Sequence, residues 1–212
     1  MLKDHTIICF ANGYDAPPTS KHHVMHDLAD GNTVLWVNYH ASRKPTASKA
    51  DLLHSGRKLG QVFAGLKNPR PNIYVLTPLV VPLPKSAWAK KLNRMLLVSQ
   101  IRRSLRGLAQ FAESSEQNVP VPLAATEKGS TSNDQPATSH SPVQFWSFTP
   151  DVSYLLGKFG EQKVVYYCVD EHAEFTGHDR EQVLRDEEDL CRRSDLVVTT
   201  AFAASESQAA VQ

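Results

Sequence analysis

Lys163-Val164-Val165-Tyr166-Tyr167-Cys168-Val169 is the stretch on which the reading of the fold turns. No polar residue interrupts it between Val164 and Val169, and its β-branched and aromatic side chains fit a strand buried on both faces. Strands of that kind lie inside parallel sheets whose two faces are covered by helices. Asp170-Glu171-His172 follows at once. In open α/β sheets ligands gather at the carboxyl ends of strands, so these three residues stand where chemistry is expected. The position equally suits a solvated loop with an acidic helix cap.

The flanking sequence extends the same pattern. Gln144-Phe145-Trp146-Ser147-Phe148 predicts a neighbouring strand, and Pro150 suits the first turn of a short helix reaching Lys158. After the central stretch a helix is expected from about Asp179 to Arg193, then a strand Asp195-Leu196-Val197-Val198-Thr199-Thr200. Near the start, Thr6-Ile7-Ile8-Cys9-Phe10-Ala11 and Thr33-Val34-Leu35-Trp36-Val37-Asn38 bracket a helix that Thr19 or Ser20 can cap and Gly31 can end. Strand, helix, strand in this span is a βαβ unit, with a right-handed crossover expected. A weaker helix is expected over 51–66, where Asn68-Pro69-Arg70-Pro71 should stop it and introduce a strand from Asn72 to Thr77. Pro78-Leu79-Val80-Val81-Pro82-Leu83-Pro84 is too rich in proline for a central strand. A long helix is predicted over 86–111, with Trp88, Leu92, Met95, Leu96, Ile101, Leu105 and Leu108 apolar. Lys90, Lys91, Arg94, Arg102, Arg103 and Arg106 surround that stripe.

Six strands alternating with helices predict an α/β fold, a doubly wound, Rossmann-like parallel sheet. The reading places one domain over 1–200 and a short polar tail over 201–212. Residues 113–142 are rich in Ser, Thr, Pro, Gln, Asn and Ala, with no aromatic residue, and read as a disordered surface insertion within that domain.

A length of 212 residues, 41% hydrophobic and 21% charged, is that of an ordinary globular protein able to bury a sizeable core. The net charge of +1 hides an uneven spread. Residues 52–112 hold eleven Lys and Arg and no acid, whereas 161–195 hold eleven acids and five bases. Cys9, Cys168 and Cys191 form no CxxC pair and read as free buried thiols in a reducing compartment. No run reaches the length of a membrane span or a signal peptide, so the reading is cytoplasmic, with peripheral attachment to the inner face of a membrane as an option.

Several chemistries are disfavoured. There is no GxGxxG after the first strand, no GxxxxGK[ST] and no GxSxG, against dinucleotide, P-loop and α/β-hydrolase chemistry. His22 and His26, four apart on the first helix, could face a zinc ion with His172 as third ligand, but spacing fixes no such set. The preferred reading is positional. Lys21, His22 and His23 open a helix at the carboxyl edge of the first strand, where a helix N-terminus favours phosphate or sugar oxygens. A solvated helix start is the alternative. The basic helix over 86–111 suits anionic phospholipid head groups, each cation near such a surface contributing about 1 kcal/mol, or else is a plain surface helix. Few aromatics interleave its charges, so nucleic acid is not expected as a partner.

In order and spacing, Asp15-Ala16-Pro17-Pro18-Thr19-Ser20-Lys21-His22-His23, Val34-Leu35-Trp36-Val37-Asn38, Val75-Leu76-Thr77-Pro78-Leu79-Val80-Val81-Pro82-Leu83-Pro84, Tyr167-Cys168-Val169-Asp170-Glu171 and Asp195-Leu196-Val197-Val198-Thr199-Thr200 form a set. The set resembles the N-terminal half of bacterial GT-B glycosyltransferases of the teichuronic-acid and family 4 type, over about residues 5–200 apart from the insertion. The resemblance implies sugar transfer from a nucleotide-sugar donor to a cell-envelope, polysaccharide or lipid-linked acceptor, with no bound metal or cofactor. It implies a cleft lined by Gly13, Asp15, Lys21 and His22, with His172 as a further substrate contact. Asp170, with Glu171 beside it, would accept the acceptor hydroxyl proton. It also implies a second, donor-binding domain after Thr200, whereas the sequence ends at Gln212. A fragment, a partner chain carrying the donor domain, or a non-catalytic glycan- or partner-binding module are the corresponding expectations.

Overall fold

The computed structural model describes residues 2–39, 66–79, 87–116, 141–169 and 180–200. Seven strands make one sheet: β1 (Thr6–Ala11), β2 (Thr33–Asn38), β3 (Lys67–Arg70), β4 (Ile73–Leu76), β5 (Val143–Ser147), β6 (Lys163–Cys168) and β7 (Leu196–Thr199). Three α-helices, α1 (Ser20–Ala29), α2 (Ala87–Glu116) and α3 (Arg180–Arg193), and a 3-10 turn at Ser153–Leu155 complete the described elements. The strands lie in the order β3-β4-β2-β1-β5-β6-β7. All neighbours pair in parallel except β3 with β4. Without β3, the chain order across the sheet is third, second, first, fourth, fifth, sixth. That order is compatible with a Rossmann-like fold and reverses direction between β1 and β5.

Side-chain alternation sorts the core into two layers. Ile8 and Phe10 of β1, Leu35 and Val37 of β2, Phe145 of β5 and Tyr166 and Cys168 of β6 face one side. Leu97 and Ile101 of α2 and Leu190 and Cys191 of α3 cover them. Ile7, Cys9, Val34, Trp36, Ile73 and Val75 face the other side, where Met25 and Ala29 of α1 pack. Each fully buried aliphatic or aromatic side chain contributes about 1.5–3 kcal/mol, so both layers hold the sheet. The strand in the middle is β1, not β6: Ile7 to Ala11 are all 0% exposed, while β6 lies one strand in from the β7 edge.

Three other expectations are corrected. The sheet has a seventh strand, because Lys67–Arg70 pairs antiparallel with β4 instead of merely stopping a helix. An edge strand pairs on one side only and therefore tolerates Pro69. Asn72, at a φ of 61°, makes the tight return into β4. The segment after Pro150 forms only a 3-10 turn, ended by Gly157 and Gly160 at φ of 77° and 70°, where an L side chain would be strained. Helix α2 runs on to Glu116, so residues 113–116, read as the start of the insertion, are helical. The helix expected over 51–66 and the bulk of the 113–142 segment lie outside the described residues, as does the 201–212 tail.

Candidate functional site at the carboxyl edge of the sheet

Parallel pairing brings the carboxyl ends of β1, β2, β5 and β6 to one edge of the sheet. The loop after β1 is tied down there residue by residue. Trp36 Nε1 donates to the Asn12 carbonyl at 3.0 Å. The Tyr14 N–H donates to Asn38 Oδ1 at 2.8 Å, and Asn38 Nδ2 donates to Thr77 Oγ1 at 2.9 Å. The Ala16 N–H donates to the Gly13 carbonyl, closing a turn around Gly13 and Asp15. Asp15 is exposed on that turn, and beside Gly13 the space is open: a Cβ there would meet no atom within 4 Å.

Lys21 and His22 enter the first turn of α1 as buried residues, 7% and 3% exposed. The Lys21 ammonium donates to Asn12 Oδ1 at 2.9 Å. No acid stands in that first turn, so a cation there adds to the positive end of the helix dipole instead of offsetting it. This end of α1 therefore favours an anion.

His22 has a different role from the one its sequence position suggests. The Thr19 N–H donates to its Nδ1 at 3.1 Å, and its Nε2 lies 3.2 Å from the Tyr14 carbonyl. A ring nitrogen that accepts from an N–H carries no proton, so the proton sits on Nε2 and donates to Tyr14. The ring stacks on Trp36 with centroids 4.8 Å apart. Burial holds the imidazole below its usual pKa, consistent with the neutral form, with the neighbouring Lys21, His26 and His23 acting in the same direction. Both nitrogens are engaged by backbone groups, so His22 caps α1 and anchors the Tyr14 loop. His26 turns instead to the Tyr14 hydroxyl, 3.1 Å from its Nε2. Among the described residues no group of three His, Cys, Asp or Glu side chains assembles that could hold a metal ion.

Asp170, Glu171 and His172 lie outside the described residues, which stop at Val169 on this strand. The same edge holds a cluster that sequence reading missed. Tyr39, just after β2, points its hydroxyl at Asp151, 3.2 Å from the carbonyl and 3.3 Å from Oδ2, with the Tyr154 hydroxyl at 3.4 Å. Burial, with the Asp151 carboxylate second, pushes the Tyr39 phenol well above its usual pKa, so Tyr39 is a donor and not a base. The Arg94 guanidinium lies 4.5 Å from the centre of the Tyr154 ring. Nearby, Ser147 Oγ and the Thr149 backbone close a tight turn, leaving the buried Thr149 hydroxyl with no hydrogen-bond partner among the described residues. An orphaned buried hydroxyl costs about 1–3 kcal/mol. The only sequence signal for this cluster was Pro150-Asp151 directly after a strand.

Comparison with protein-family models, with curated proteins and with solved structures finds no significant match to this chain.

Proposed function

We propose that the chain is the acceptor-side half of a GT-B-type glycosyltransferase, working on a nucleotide-sugar donor and a cell-envelope, polysaccharide or lipid-linked acceptor at the cytoplasmic face of a membrane. The observation that carries the reading is the reversal of strand order between β1 and β5, with the anion-favouring start of α1 at the same edge. In this reading Lys21 and the Gly13–Asp15 loop hold acceptor or sugar oxygens, and His22 fixes that loop. Asp170, which follows Val169 in the chain, accepts the acceptor hydroxyl proton, with Glu171 and His172 beside it. The donor diphosphate is held by a second domain, in the same protein or a partner chain, and no metal takes part.

The test joins the chain after Thr200 to a GT-B donor domain, or co-expresses the two, and follows transfer of labelled sugar. Asp170→Asn should lower turnover by roughly 10²–10⁴, the range for loss of a positioned proton acceptor. An Asp170→Asn enzyme as active as its parent removes that carboxylate from the chemistry. A second reading, a non-catalytic glycan- or partner-binding module, is favoured by the engagement of both His22 nitrogens with backbone. Saturable glycan binding by the chain, with no transfer in any joined form, would select it.

A further inference from the structure

Helix α2 does more than cover the sheet. Its inner stripe, Leu97, Ile101 and Ser104, is buried, while Met95 is 62% exposed on the opposite side. Between α2 and the segment around the 3-10 turn runs an open groove of about 630 Å³. Arg94, Arg102 and Arg106 line it from α2, Lys158 and Tyr154 from the facing segment, and Met95 lies among them. Among the described residues no acidic side chain lines it.

The groove is organised by its own contacts. Arg102 Nε donates to the Lys158 carbonyl at 2.9 Å, which ties α2 to the turn that carries Lys158. Arg106 Nε donates to the Arg102 carbonyl at 3.4 Å, and Arg94 lies over the Tyr154 ring. The terminal N–H groups of Arg102 and Arg106 have no acceptor among the described residues. Glu161, the nearest acid in sequence to Lys158, has its carboxylate turned onto the Gly157 and Phe159 N–H groups. Asp186 and Arg94 stand near enough for their charges to interact, so among the described residues the charge without an acidic partner lies toward Arg102, Arg106 and Lys158.

We propose that this groove is a binding site for a phosphate-bearing ligand, whose phosphate is held between Arg102, Arg106 and Lys158 and whose less polar body lies along Met95 and Tyr154. Guanidinium groups with free planar N–H pairs match phosphate oxygens in a bidentate way. Tyr154 and Met95 supply a surface that a bare inorganic anion does not use. The site stands independently of the glycosyltransferase reading, because it uses none of the residues at the start of α1. A soluble phosphate ester and a phospholipid head group share the required chemistry.

The test labels the methionine methyl groups of the whole chain with carbon-13. Met95 reports on the groove, and Met25, fully buried under α1 on the other face, is the internal control. Hexyl phosphate and vesicles of phosphatidylcholine with or without phosphatidylglycerol are the probes. Saturable change at Met95 and none at Met25 is expected. Arg102→Glu and Lys158→Glu should each weaken binding about tenfold or more, since a charge-assisted contact becomes a repulsion. Arg103→Glu, exposed on α2 but outside the groove, should leave it within about twofold, because a screened charge beyond the contact contributes little. Arg102→Gln and Lys158→Gln serve where a charge reversal lowers the melting temperature. A response to hexyl phosphate alone assigns a soluble ester, and a response to anionic vesicles alone assigns a lipid head group. Silence of Met95 toward both probes overturns the proposal, as does an Arg103→Glu loss equal to that of Arg102→Glu.

Discussion

Replacing His22 with alanine tests whether this residue works on a ligand or on the fold. The ring is 3% exposed, accepts from the Thr19 N–H, donates to the Tyr14 carbonyl and stacks on Trp36. Loss of the cap costs about 1 kcal/mol. Loss of the Tyr14 bond costs about 1 kcal/mol. The stacked pair adds about 1 kcal/mol. Together these come to about 3 kcal/mol, which for a domain of this size lowers Tm by about 6–12 °C. Thermal unfolding followed by circular dichroism measures it directly. His22→Gln, whose side chain can restore the reciprocal cap, should recover about 1 kcal/mol of the loss. His23→Ala, at an exposed position, should stay within about 0.5 kcal/mol of the parent. The pH dependence supplies a second measure. Because the folded pKa of His22 is depressed, its contribution is full above the unfolded value of about 6.5 and is lost as pH falls through the folded pKa. His26, also depressed, contributes in the same direction. His22→Ala should therefore flatten, without abolishing, the fall in stability below neutral pH. A His22→Ala protein that melts within a degree of its parent refutes the capping role and returns the imidazole to the ligand side.

Tyr166→Phe removes the hydroxyl that donates to Glu187 Oε1 at 2.6 Å, and should destabilise by about 1.5–3 kcal/mol, read from the urea midpoint. A double-mutant cycle with Glu187→Gln that shows no coupling would contradict it. Cys9, Cys168 and Cys191 are buried, and burial pushes the Cys191 thiol up to about 12. All three should resist a water-soluble disulfide reagent at pH 8 until the protein unfolds, and a thiol that reacts at once in the native protein would show that its cover opens.

The parts of the fold legible in the sequence were those with local causes. β1, β2 and β6 are unbroken apolar runs because both faces of each are covered, and a run of that kind has few other destinations. Helix α1 begins where Thr19 can cap it. What was illegible depends on partners far along the chain. β3 is a strand only because β4 offers an edge, and Pro69 within it and Pro71 just after it argue locally for a break. Tyr39 and Asp151 meet across 112 positions, and no window of sequence contains both. His22 looked like a donor at a helix start because its neighbours are polar. Its burial is set by Trp36, on the next strand.

The seam at the centre of the sheet has a kinetic consequence. β1 finds β2 within one βαβ unit, but it finds β5 only when Thr6 meets Val143 and Phe10 meets Ser147. The first half can thus collapse through short-range contacts. Joining the halves must wait for a loop of more than a hundred residues to close, which sets a slow step in folding. The equilibrium cost of that loop grows only with the logarithm of its length, about 0.6 kcal/mol per doubling. Lengthening the crossover between α2 and β5 should therefore slow the assembly of this protein only modestly, by no more than the free energy it takes from the product.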